Sequence, residues 1–457
     1  MSAPAVAMPV RHQRKRMGIW TATALVVGNI VGASIFMLPA SIAPYGWNAV
    51  IAWVISLTGA MCLAWVFAKL AMHFPRAGGA HGFMQIGFGD SAAFLGSWGY
   101  LVSVYAANAA ITITGVSYLT RLIPAMRDVP GSEAGVGLTL IALLTWANAR
   151  ALAGSVQLVS TIIKLLPFVA VIGLAGWTFW HGGMATLAPV HAVPITLSAT
   201  VSAIGLTFYA MLGLESATVP SDAVDDAERN VPRATMMGTG ICGAVTIVST
   251  CAVALMLPVA ALTVSKAPIS DFISGYLGNS AGLLVAVCAV FSCFGCLNGW
   301  LLIGAELPAA MCERGSLPPW FGVRNAHGVP IRSLMIGAIV TGAFVLMAST
   351  RVGIAAVNFA TLLSTATILV MYLLCALAVL RFMRDGRLPR SSSLLIASVG
   401  AVIFSLWAFY GTGWESLGWG AVLITAGWPL HRMAQRAARH AAERAAPTTL
   451  DSTSVAL

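Results

Sequence analysis

GNIVGAS, residues Gly28 to Ser34, sits in the middle of an apolar run from Met17 to Ala43 that is long enough to cross a bilayer. Two glycines four residues apart, with an Asn and a Ser, are poor material for a continuous helix. Unwound backbone cannot face lipid, because each N–H or C=O left unpaired in hydrocarbon is costly. A break at mid-depth therefore lines a cavity or a ligand, which is how secondary transporters build small-molecule sites. Gly28 and Gly32 also fit a helix-packing face of small residues. From this stretch alone both readings stay open.

The rest of the chain fixes its class. Of 457 residues, 58% are hydrophobic and only 9% charged, with a mean hydropathy of +0.87, which excludes a soluble domain. Twelve apolar runs read as membrane spans, near 17–43, 47–70, 91–122, 134–149, 155–179, 195–220, 235–258, 280–312, 332–349, 353–380, 393–410 and 415–433. With the N-terminus inside, 20 of the 25 Lys and Arg fall on inner segments and tails. Arg121, Arg127, Lys266 and Arg351 fall on outer ones, and Lys164 lies within a span. That asymmetry predicts that both ends lie in the cytoplasm. It also explains the net charge of +10 without nucleic acid as a partner. No cleavable signal precedes the first span; Arg11 to Arg16 reads as a basic leader. The eight Cys, Cys293 and Cys296 included, have no metal-ligand spacing and read as small core residues. The Ala/Arg-rich stretch after Arg432 predicts an amphipathic surface helix fraying from Thr448 to Leu457.

Ionisable residues inside spans are costly and are functional candidates by default. Glu215 lies in TFYAMLGLESAT (Thr207 to Thr218), a sixth span interrupted by Gly205 and Gly213. It mirrors the first span, and inverted repeats would bring the two breaks together at the midplane. A Glu capped by local backbone at the inner end of the span is the plainer alternative. Lys164, in STIIKLLP (Ser160 to Pro167), needs carbonyl acceptors or an acid. Unwound carbonyls of the first span would serve, unless the side chain snorkels out. Glu306 follows Trp300 in the eighth span and is expected to line an inner exit path or to pair with Arg314. Tyr209 and Trp300 could stack on a substrate, and a cationic one would gain from the rings. The loop DDAERNVPRA (Asp225 to Ala234) reads as an inner helix start and gate hinge. No GxxxxGK[ST] is present, which argues against an ATP-driven pump.

Four stretches in order resemble the amino acid–polyamine–organocation superfamily: GNIVGASIFMLPA, FPRAGGAHGF, GLESA followed by ERNVPRA, and CLNGWLL. They are similar above all to its arginine/agmatine, lysine/cadaverine and ornithine/putrescine antiporters. The resemblance implies an all-α membrane protein of twelve helices with a LeuT-like five-plus-five inverted repeat and broken helices 1 and 6. It divides the chain into an N-terminal tail (1–16), a transport core (17–380, with repeats 17–179 and 195–380), two accessory helices (393–433) and a C-terminal tail (434–457). Members of the family are often homodimers. No paired catalytic constellation and no metal-ligand spacing appears in the sequence, so no enzymatic activity, cofactor or metal is expected. Gly28, Asn29, Ile30, Gly32, Ala33 and Ser34 would surround the substrate's α-amino and α-carboxyl groups. Tyr209, Leu212 and Trp300 would meet its side chain, and Glu215 would sense protons. Ala33 and Tyr209 stand where the arginine/agmatine antiporter has Ser and Trp. Lys164 instead resembles proton-coupled and neutral exchangers, standing where sodium binds in sodium-driven relatives. The expected function is antiport of a basic amino acid against its amine; the alternative is proton-coupled symport or exchange of neutral amino acids.

Overall fold

In the computed structural model, the first apolar run is a helix over Ile19–Ile30, a 3-10 turn over Ala33–Phe36 and a short helix over Leu38–Ile42. The structure describes residues 18–77, 79–151, 156–187, 193–218, 224–351 and 354–445. Within these, the side chains of Leu25, Ala33, Ser34, Arg76, 156–162, 217–218, 227 and 438–445 are not described. The N-terminal leader and the last twelve residues of the C-terminal tail lie outside the described residues.

Every regular element among the described residues is helical. Spans two to five are Trp47–His73, Asp90–Leu122, Ser132–Ala149 and Val156–Gly182. The sixth is Leu197–Tyr209 followed by a 3-10 turn over Leu214–Thr218. Spans seven to ten are Ala227–Met256, Asn279–Glu313, Ile331–Ser349 and Ile354–Arg384. The accessory pair is Ser392–Gly411 and Gly413–Ala426. A helix stands at each of the twelve expected positions, and among the described residues nine of these helices are long and apolar enough to cross a membrane.

Spans one, two, three and four pack against spans six, seven, eight and nine. Because five is odd, each span runs antiparallel to its partner five spans later, which is the inverted repeat. Two boundaries differ from the sequence reading. The seventh span starts at Ala227, so most of the acidic-basic loop forms its first turns, ahead of Pro232. The twelfth stops at Ala426, and Trp428 begins a separate helix, Trp428–Ala445. That helix docks beside the third span, where the His431 ring stacks on Phe94 with centroids 4.4 Å apart.

Candidate functional site

The first span is broken because its backbone changes course at Val31 and Gly32. The Val31 N–H donates to Val27 O at 2.8 Å, and Gly32 N–H reaches back only to Ile30 O at 2.7 Å. In the sixth span the helix tightens after Tyr209, and Leu212 N–H donates to Tyr209 O at 3.1 Å. Gly213 then turns the chain at φ +100°, where a side chain would be strained. A Cβ on Gly213 would lie 3.2 Å from the Asn29 carbonyl oxygen, so the two breaks touch.

Between them is a pocket of about 30 Å³, lined by Asn29, Ile30, Gly32, Tyr209, Leu212 and Trp300, with Cys296, Tyr100 and the hydrogen-bonded pair Ser103–Ser364 (2.9 Å). Asn29, Tyr100 and Trp300 also line a larger cavity of about 540 Å³. This one runs past Glu215 to Glu306, Glu313, Arg314 and Arg324, on the face that carries the C-terminal helix, here called the terminal face. The opposite face is shut. Tyr118 OH donates to Phe36 O at 3.0 Å and accepts from Ile269 N–H at 3.2 Å, and Phe36 packs between Tyr118 and Phe168. A separate cavity beyond that seal, lined by Arg127, Lys266 and Arg351, shares no residue with the pocket.

The charges fall where the sequence reading puts them, with one correction. Glu215 is 1% exposed and accepts from Tyr372 OH at 2.6 Å, so its partners come from other spans rather than from a local cap alone. Lys164 is also 1% exposed, and its ammonium donates to Gly28 O at 3.3 Å. Among the described residues no carboxylate lies within 4.0 Å of it, and it does not snorkel. Glu306 does line the route to the terminal face, but its partner is Arg324 (2.9 and 3.1 Å), not Arg314, whose guanidinium donates to Ala77 O at 2.9 Å. The Ala33 and Ser34 side chains lie outside the described residues, so their contacts go unassigned.

Sequence reasoning missed four residues. Tyr100 and Tyr372 converge on the Glu215 carboxylate from the third and tenth spans. Cys296, set down as core, lines the pocket. Asn108, fully buried in the third span, has neither its side-chain nitrogen nor its side-chain oxygen paired among the described residues. A buried amide in that state, next to the pocket-lining Ala107 and about one turn from Ile111, is a signal the sequence carried only as an Asn in an apolar run.

The comparisons with known proteins bear on the family and the fold. The model of the family described as "Amino acid permease" matches residues 17–421. The putrescine transporter PotE of Escherichia coli (strain K12) is 31% identical over 427 residues, which is 91% of this chain and 95% of that one. The cadaverine/lysine antiporter of the same strain is 31% identical over 413 residues, covering 87% and 90%. PotE of Haemophilus influenzae is 29% identical over 423 residues, covering 91% and 96%. Among solved structures, MhsT in complex with L-phenylalanine superposes with a TM-score of 0.61 at 15% identity, over 88% of this chain and all of that one. That likeness speaks for the fold. The chain belongs to the amino acid permease family, a branch of the amino acid–polyamine–organocation superfamily of membrane transporters.

Proposed function

We propose that the protein is a secondary active antiporter, exchanging a basic amino acid (arginine, lysine or ornithine) for its amine (agmatine, cadaverine or putrescine) by alternating access. The observation that carries this reading is a buried carboxylate, Glu215, beside two touching helix breaks in a cavity open to one face only. Its support from relatives is the PotE and cadaverine/lysine likeness over nearly the whole chain.

The division of work follows from chemistry. An amino acid and its amine share a cationic side chain and differ by one carboxylate. The backbone at Gly28, Asn29, Ile30, Gly32, Ala33 and Ser34 binds the part that the amino acids share. There, N–H groups suit a carboxylate and exposed carbonyls suit an ammonium. Tyr209, Leu212 and Trp300 enclose the side chain. Glu215 couples the site to protons or to substrate charge, and Lys164 pins the first break through Gly28. The terminal face lies in the cytoplasm of a bacterial inner membrane, supported by the 20 to 4 split of Lys and Arg. Because the amine carries one more positive charge than the amino acid, each outward amine for inward amino acid moves a positive charge out.

Uptake of labelled arginine, lysine or ornithine into proteoliposomes loaded with agmatine, cadaverine or putrescine tests the reading. Exchange that generates a membrane potential supports it, and no exchange with any cationic pair overturns it. Lys164 favours one second reading, a proton-coupled symporter or exchanger of neutral amino acids. Uptake of alanine, leucine or methionine into unloaded vesicles under an inward proton gradient would establish that instead.

A further inference from the structure

Glu306 is the one acidic residue singled out in the sequence that the exchange mechanism leaves without work. The eighth span carries Trp300, Glu306 and Glu313, at spacings of six and seven residues. At 1.5 Å per residue, Glu306 lies about 9 Å along the helix from Trp300, and Glu313 about 10 Å further. Glu306 and Glu313 share one side of the helix, since seven residues make about two turns. Between the central pocket and Glu306, the cavity wall is made by Leu302 and Ile303, and beyond it by Leu307 and Met311. An apolar wall ending in a carboxylate fits an alkyl chain ending in an ammonium.

Glu306 is held by Arg324 alone among the described residues, with Arg324 also 3.8 Å from Glu313 and donating to Gly328 O at 2.8 Å. The pair is half-exposed, at 44% for Glu306 and 39% for Arg324. Water and a rival cation can therefore replace the guanidinium at little cost. Arg324 would then keep Gly328 O and turn to Glu313.

We propose that Glu306 is a transit site for the ammonium group of the cationic substrate, taken up by exchange with the Arg324 guanidinium on the terminal side of the central pocket. This rests on the antiport reading and extends it to a second contact on the path. It also gives the ion pair a consequence that a brace would not have: its two members act in opposite directions. Removing the carboxylate weakens capture, whereas removing the guanidinium frees the carboxylate and strengthens it.

The test uses full-length protein in inside-out membrane vesicles, where the terminal face meets added labelled putrescine, cadaverine or agmatine. E306Q is expected to raise KM about three- to fivefold, and R324Q to lower it about twofold, the range of one exposed charge pair. E306D keeps the wild-type value. The double variant E306Q/R324Q stays above R324Q, which separates loss of the carboxylate from the field of a stranded Arg324. In right-side-out vesicles neither single variant moves KM for the same amine. If E306Q and R324Q raise KM alike, or shift it equally on both faces, the pair is a structural brace and the transit site is wrong while antiport stands. If the wild type exchanges no cation, antiport and the transit site fall together.

Discussion

Gly213 and Asn29 meet backbone to backbone: a Cβ on Gly213 would lie 3.2 Å from the Asn29 carbonyl oxygen, on a residue already at φ +100°. The two breaks are thus one structure made of two halves. G213A forces either the left-handed backbone to relax or the first break to retreat. A non-glycine residue in that region costs about 1–2 kcal/mol, so transport is expected to fall about tenfold or more. Tracer exchange in proteoliposomes, beside a size-exclusion profile that reports folding, checks this.

Lys164 reaches the first break from another side. K164A removes the donor at Gly28 O and the only described positive charge buried in the spans. The expected outcome is exchange reduced about tenfold. Initial rates of tracer exchange in proteoliposomes measure it. Wild-type rates would show that the ammonium is only filling space.

Tyr372 holds Glu215 through a hydrogen bond of 2.6 Å. Leaving a buried polar group without its partner costs about 1–3 kcal/mol, so Y372F should lower exchange by about five- to a hundredfold. Exchange by Y372F is compared with that by F67Y, a substitution on the same ring's edge-on neighbour that leaves the hydrogen bond in place.

His81 lies in the helix Ala80–Phe88, between the second and third spans, and is 7% exposed. It hydrogen-bonds Ser97 (2.8 Å) and Ser316 (3.3 Å). Burial, then the positive charge of Arg314, holds its pKa down at about 4, from an ordinary 6.5; Asp90 pulls weakly the other way. The folded state thus resists a proton that the unfolded chain accepts. Stability is full above the unfolded value and is lost as pH falls from there toward about 4, by at most about 3 kcal/mol. Melting temperatures of purified protein between pH of about 7 and 4.5 should drop less steeply for H81Q than for the wild type.

The breaks were legible in the sequence because Gly28, Asn29, Gly32 and Gly213 sit in otherwise apolar runs, where low helix propensity has no other local excuse. The spans were legible because bilayer thickness dictates their length. The twelfth was read too long because Trp428 and Leu430 continue its apolar composition, although the chain restarts there as a new helix. Tyr372 lay hidden for another reason. It is 157 residues from Glu215, and an aromatic in a lipid-spanning run looks like packing until the fold turns it inward. Of the two expectations for Glu306, lining the cavity matches its place, whereas pairing with Arg314 does not: the Arg314 guanidinium turns to Ala77 O, and Glu306 pairs with the loop residue Arg324.

The pocket between the breaks, at about 30 Å³, is small beside the cavity of about 540 Å³ that shares Asn29, Tyr100 and Trp300 with it and runs to the terminal face. The small pocket is therefore the inner end of a path open to one side, and on the antiport reading a substrate entering it leads with whichever end the two breaks hold.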